Sequence, residues 1–451
     1  MSEATTIFFD DSLRTLVKEL STQFNQEELK QGLVVRDTSG RLRFLSAEKS
    51  PSDEKRPMIE GELAAALGAY ARENRVIAFS DEPGVQLLLK DPTAFNIQQE
   101  SFNIRYLDRR IVGSAWVDSP RKEAAWPPRI VFASLKGGVG RSTALAVTAA
   151  DLARRNKNIL VIDLDLEAPG LGDMLLDKER TPRFGAVDYL VEKGLGGISD
   201  STLSDFVGTS NLTTTGGGRV DVVPAIGSLA DKYPENVLPK ISRAMIEDID
   251  SNGDAVSVTN KIADMVERLT NRDTYDVVLI DSRAGLSELA APTILGLGAN
   301  VLLFGTAQRQ TIQGYAALFA ALKLLAQRDL DANRSAEWRL LFKAVHAKAS
   351  SLNESTSARY RDDLYELFAD NLYDTDDVQQ DSSEALSFSI DDKNGPHWPL
   401  TIPFAQNLID FDPVQTPSQL LAEFYEQFYR PFLNGIDSIV ASSSVDLGDA
   451  E

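Results

Sequence analysis

The chain has 451 residues, 43% of them hydrophobic and 25% charged, enough for two or three domains with a sizeable core. It holds no cysteine, which excludes disulfides, thiolate metal centres and cysteine nucleophiles. Its histidines are His346 and His397, so a metal must be held mainly by oxygen. The net charge of −21 opposes broad attraction to nucleic acid or anionic lipid, whose phosphates call for exposed Lys and Arg.

No run of about 18 apolar residues occurs, and the first residues, Met-Ser-Glu-Ala-Thr-Thr, lack the basic and apolar parts of a secretory signal. A cytoplasmic protein without a membrane anchor is expected. Residues 1–125 read as an α+β accessory domain. A helix is expected near Asp11–Phe24, then a hairpin over residues 32–45 turning at Asp37-Thr38-Ser39-Gly40, a helix near Glu60–Glu73 and a strand at Arg75–Phe79. The proline-rich stretch 119–128 marks the boundary.

From Arg129 short apolar runs alternate with helical stretches, the pattern of an α/β fold whose mostly parallel sheet is flanked by helices, over residues 126–440. Strands are expected at Ile130–Leu135, Ile159–Leu164, Arg219–Pro224, Asp276–Asp281, Val301–Gly305, Arg339–Val345 and Leu400–Phe404. Helices should begin near Arg141, Pro234, Val258, Ser287, Thr311 and Ser357. The cations Lys323, Arg328, Arg334, Arg339, Lys343 and Lys348 read as a solvated helix face, with a local nucleic-acid patch as the alternative. Residues 441–451 form a polar, acidic tail expected to fray.

Three motifs carry the chemistry. An apolar run breaks into Lys136-Gly137-Gly138-Val139-Gly140-Arg141-Ser142-Thr143, where glycines let backbone N–H groups face one anion and a helix start adds its positive end. Against the phosphate-loop pattern Gly-x4-Gly-Lys-[Ser/Thr], Leu135 takes the place of the first glycine and Arg141 that of the lysine. Next, Asp163-Leu164-Asp165 ends a strand, with Asp163 near a metal and Asp165 in the following loop, where it could orient water. Third, Asp281-Ser282-Arg283-Ala284-Gly285 brings a carboxylate to the C-terminal end of another strand, the edge where parallel sheets bind ligands.

The ordered set resembles the deviant Walker A, Walker A′ and Walker B motifs of the MinD/ParA ATPases, SIMIBI-class P-loop NTPases, over roughly residues 127–435. Residues 1–125 have no counterpart in that resemblance. It implies ATP and Mg²⁺ as ligands and a homodimer closed through nucleotide. Lys136 would cross to the partner's phosphates, Arg141 would bind phosphate in cis, Ser142 would ligate Mg²⁺, Asp165 would position the attacking water, and Asp163 and Asp281 would support the metal. His346, Pro403 and Phe404 fall where relatives hold the base, although His346 also reads as an ordinary core or surface histidine. Arg283 reads either as a phosphate contact or as the partner of a nearby acid.

Arginine at position 141 replaces a compact ammonium with a planar fork, which bears on turnover more than on binding. The distance from Asp165 to Asp281 suggests inserted helices around residues 184–205 and 234–250. The aromatic stripe Phe424, Phe428 and Phe432 reads as core packing and not as a lipid anchor.

The leading expectation is a slow, Mg²⁺-dependent ATPase that dimerises on ATP and switches a partner complex recognised through residues 1–125. The alternatives are an ATP-binding structural dimer with negligible turnover and a ParA-like DNA partition ATPase, which the charge disfavours. A bacterial tyrosine kinase is weaker still, because only Tyr425 and Tyr429 lie near the end.

Overall fold

Short apolar runs fold as strands covered by helices in a computed structural model that describes residues 6–52, 55–72, 75–121, 126–212, 217–249, 253, 255–350, 353–374 and 386–445. The chain divides into two units. One comprises residues up to 118 together with 323–335, and the other comprises 119–322 together with 336 onward.

In the first unit, β1 (Leu33–Arg36), β2 (Leu42–Leu45), β3 (Ile77–Ala78), β4 (Phe95–Gln99) and β5 (Phe102–Asp108) form a mixed sheet in the order β3-β2-β1-β5-β4. The expected hairpin is β1–β2. Its turn is held by the Asp37 carboxylate, which accepts from the backbone N–H groups of Ser39 at 2.9 Å and Arg41 at 3.0 Å. The helices Phe9–Gln23 and Lys55–Leu67 contribute Leu16, Leu20, Ile59 and Leu63 to one core with Val34, Phe44 and Ile77. The second of these helices begins five residues earlier than its apolar spacing suggested.

In the second unit, β6 (Arg129–Ser134), β7 (Asn158–Asp163), β8 (Gly208–Thr209), β9 (Arg219–Val223), β10 (Asp248–Ile249), β11 (Ala255–Val256), β12 (Val277–Asp281), β13 (Asn300–Gly305), β14 (Phe342–Ala349) and β15 (Leu400–Pro403) follow in the chain. Eight of them form a sheet ordered β15-β14-β13-β6-β12-β7-β9-β8, parallel throughout except for β8, while β10 and β11 pair apart. All seven expected strands are present. The run expected to start at Arg339 starts at Phe342, because residues 337–341 close a 3₁₀ turn first. The central strands are apolar along their length because both faces are covered.

One face is covered by the helices Arg141–Arg154 and Ala422–Val445, with Phe132, Phe304 and Phe432 meeting at centroid distances of 5.7–6.4 Å. The C-terminal stripe does pack into the core, but its buried line is Tyr425, Tyr429, Phe432 and Ile436; Phe424 and Phe428 are half-buried. Where the two helices meet, the fully buried Asp151 accepts from Tyr425 Oη at 3.1 Å and lies 2.7 Å from Arg155 Nη2. The stretches expected as inserts hold the helices Ala186–Leu195 and Val237–Ala244. The helix expected near Ser287 begins at Ala290.

The basic stretch is a solvated face only in part, since Lys323 and Lys348 are exposed and the other four are buried or half-buried. Arg328 is buried and donates to the carbonyls of Thr93 and Val117, Arg334 pairs with Asp329, and the buried Arg339 pairs with Asp374 at 2.8 Å. Lys343 donates to Gly395 O, and burial pushes its ammonium down to about 8. Among the described residues no helix is long and apolar enough to cross a membrane. Residues 446–451 of the expected tail lie outside the described residues; residues 441–445 complete the last helix.

Candidate functional site

The C-terminal ends of β6, β12 and β7 lie side by side, and Asp281 is in register with both Phe132 and Asp163. This register gathers the three motifs at one edge. The loop after β6 needs glycine for a local reason, since Gly138 and Gly140 take φ of +75° and +88°, which L-residues rarely adopt. A Cβ built at Gly137, Gly138 or Gly140 would meet nothing within 4 Å. Open space therefore lies along the loop, and Gly140 starts the helix Arg141–Arg154 without a side-chain cap, leaving its first N–H groups for an anion.

Arg141, 7% exposed, is already engaged. Its Nη2 donates to Asp165 Oδ2 at 2.8 Å, its Nη1 to Ser134 Oγ at 3.3 Å, and its Nε lies 2.5 Å from Asp281 Oδ1. Burial disfavours the guanidinium charge, but Asp281 and Asp165 outweigh it and hold the group above its ordinary range. Ser142 Oγ donates to the other Asp281 oxygen at 2.5 Å. Asp163 accepts from the N–H groups of Asp165, Gly170 and Leu171, so it braces the loop after β7. Its burial, with the charge of Asp281 beside it, raises its carboxyl to about 7. Burial also raises Asp281, against the pull of Arg141.

Arg283 bonds Glu167 at 2.7 Å and lies 3.7 Å from Asp165, which is the acid-partner reading. Lys136 is exposed and reaches Gln308 Oε1 at 3.4 Å. Thr143 is half-buried and Val139 buried.

Beside the loop is a cavity of about 320 Å³ lined by Gly138, Thr143, Lys348, Pro403, Phe404 and Tyr429, among others. Phe404 is 53% exposed, an aromatic face left for a flat partner to cover. Pro403 and Phe404, expected to cover a base, line this cavity beside the glycine loop. His346, the other residue expected near the base, is 3% exposed, its ring packs on Tyr360 with centroids 4.8 Å apart, and burial lowers its imidazole below the ordinary value. It is a core histidine. A larger cavity of about 430 Å³ lies along Pro169 and Gly170, but Asp163, Asp173, Asp177 and Asp231 line it together with Lys178, a mainly acidic wall that disfavours phosphate.

Among the described residues no group of three acids or histidines forms a metal cage. Mg²⁺ fits without one, since it keeps its waters and arrives on phosphates. Asp165 Oδ1 is buried without a hydrogen-bond partner among the described residues, with Arg283 Nη1 3.7 Å away, while Arg141 Nε and Asp281 Oδ1 meet each other.

Sequence reasoning did not single out Ser134 and Gln308, and it counted Lys348 only among the basic residues. The polar ends of β6 and β14 were the available signal.

Glycine loop, helix start and strand-end carboxylates on a parallel sheet define a P-loop nucleoside triphosphatase domain. Residues 128–335 match the family model described as an AAA domain, and Lys136 ahead of the double glycine and the Asp163/Asp165 pair are the features in which the site resembles the ParA/MinD-type ATPases. No curated protein matches the chain.

Among solved structures the chain is similar to the pNOB8 ParA bound to nonspecific DNA, at 15% identity over 71% of this chain and 99% of that one, with a TM-score of 0.41. It is similar to the MinD cell division protein of Aquifex aeolicus, at 17% identity over 71% and 97%, TM-score 0.39. A plasmid partition protein from Borrelia burgdorferi matches at 17% identity over 68% and 100%, TM-score 0.31.

Proposed function

We propose that the protein is a slow ATPase that binds Mg·ATP on the Lys136–Thr143 loop, dimerises through the nucleotide, and is reset by hydrolysis. The observation that carries this reading is the placement of Arg141, Asp165 and Asp281 in one ion-paired cluster beside an open glycine loop. Backbone amides of Gly137–Gly140 and the helix start would hold the phosphates, and Pro403 and Phe404 would flank the base. Arg141 would exchange its carboxylates for phosphate, releasing Asp165 to orient water, while Lys136, exposed and loosely held, is free to reach a second subunit. Ser142, with Asp163 and Asp281 in support, would hold Mg²⁺, which would supply positive charge to offset that of the phosphates. Residues 1–125 would serve as the partner-recognition domain.

Phosphate release and ATP binding by the full chain and by Asp165→Ala test the reading. Wild type should turn over slowly, while the variant should bind ATP without releasing phosphate. Equal silence in two proteins that both bind ATP would leave a structural ATP-bound dimer instead.

A second reading, a ParA-like partition ATPase acting on DNA, is the one toward which the descriptions of the similar structures lean. The net charge of −21 and the internal pairing of Arg328, Arg334 and Arg339 speak against it. ATP-dependent, salt-sensitive retention of duplex DNA would favour it.

A further inference from the structure

We infer that Lys348 is a further phosphate-binding cation of this site, supplying in cis the compact ammonium that the loop lacks with arginine at position 141. The inference rests on the nucleotide reading above.

Lys348 lies at the end of β14, where the pairing with β15 shifts register between His346 and Ala349. Its φ is +53°, a left-handed backbone that a residue with a Cβ adopts at a cost. Register shifts of this kind re-aim side chains, and strained residues of this kind gather at functional sites. Here the side chain is aimed at the glycine loop, with Nζ donating to Gly138 O at 2.7 Å. That carbonyl belongs to a residue whose own φ is +75°.

An ammonium has three donors, and no salt bridge to a described carboxylate occupies Lys348. In a chain with 67 acids against 46 lysines and arginines, such a lysine at the mouth of a cavity is placed for an anion. Arg141 is turned toward Asp165 and Asp281, and Lys136 is exposed toward Gln308. Lys348 is therefore the cation that faces the loop from the cavity side. It would hold the loop through Gly138 and present its remaining donors to the phosphates of the bound nucleotide.

The test is calorimetric titration of the full chain with Mg·ATP, Mg·ADP and adenosine at two salt concentrations, using wild type, Lys348→Met, Lys348→Gly and Lys348→Arg, with unfolding midpoints recorded for each. Lys348→Met and Lys348→Gly should weaken both nucleotides roughly tenfold, the value of a charge-assisted contact, and leave adenosine unchanged. Their salt dependence should be shallower, and Lys348→Arg should recover part of the loss. Glycine accepts φ of +53° freely, so Lys348→Gly should unfold no lower than wild type. Loss of adenosine and ATP in equal measure would mean that Lys348 only shapes the loop, and unchanged ATP affinity would remove it from the site. Absence of any nucleotide binding by wild type would overturn the proposed function and this assignment together, whereas the other results bear on Lys348 alone.

Discussion

The guanidinium of Arg141 lies 2.8 Å from the carboxylate of Asp165, so the residue expected to bind phosphate and the residue expected to steer water are partners in this structure. With Nε also against Asp281, the fork spans both acids. A lysine carries one point charge and cannot hold two carboxylates in the same fixed geometry. Arg141→Lys is therefore expected to keep ATP binding and raise phosphate release roughly tenfold, the worth of one hydrogen bond to a charged group. Single-turnover phosphate release measures it, and a slower variant would mean that the fork aids the chemistry.

The glycine at the helix start is required by backbone angle and not by space. With φ of +88° and nothing within 4 Å of the point where a Cβ would stand, Gly140→Ala introduces strain but no clash. Destabilisation of about 1–2 kcal/mol is expected. Urea unfolding of the two proteins decides it, and an unchanged midpoint would show that the loop relaxes to another conformation.

Asp163 makes stability depend on pH with a definite sign. Its folded carboxyl titrates at about 7 against 3.8 for the free group, so between those values the folded state binds more protons than the unfolded one. Its contribution is complete below pH 4 and is lost as the pH rises through 7. Asp163→Asn should flatten that decline in unfolding midpoints recorded from pH 4 to 8 without nucleotide. Parallel profiles for the two proteins would contradict it.

The junction between the Arg141–Arg154 helix and the last helix depends on a buried charge. Asp151 is fully buried between Arg155, Arg154 and Tyr425. Removing the carboxylate leaves Tyr425 Oη without its buried acceptor, while Arg154 keeps Glu426 and Arg155 keeps Asp437, so Asp151→Ala is expected to cost about 1–3 kcal/mol. Chemical denaturation would reveal the loss, and a change within error would show that solvent reaches the Tyr425 hydroxyl.

The parts of the site that one short segment encodes could be read from sequence: the glycine loop, the Asp163/Asp165 pair and the strand ending at Asp281. Pro403 and Phe404 were singled out because strand, proline and aromatic residue stand together, and they line the cavity beside the loop. Of the two readings left open for His346, base contact and core histidine, its burial against Tyr360 fits the second; residue type and position near a strand end do not distinguish them. The cluster at Arg141 could not be foreseen, since it depends on β12 lying between β6 and β7. The strands β4 and β5 escaped notice because FNIQQ and FNIRYLD carry too many polar residues to alternate cleanly. The turn ahead of β14 was read as strand because Leu340 and Leu341 prolong its apolar run.

The place of β12 between its two neighbours also sets an order for biosynthesis. A nascent polypeptide leaving the ribosome would carry the glycine loop and Asp165 long before Val277–Asp281 emerged to fill the gap between β6 and β7. Until then the two strands have no shared neighbour, and closing the gap spans a long stretch of chain, which makes it slow. Stalled chains ending before and after Asp281 should differ sharply in protease resistance, with the earlier product left as prey for chaperones.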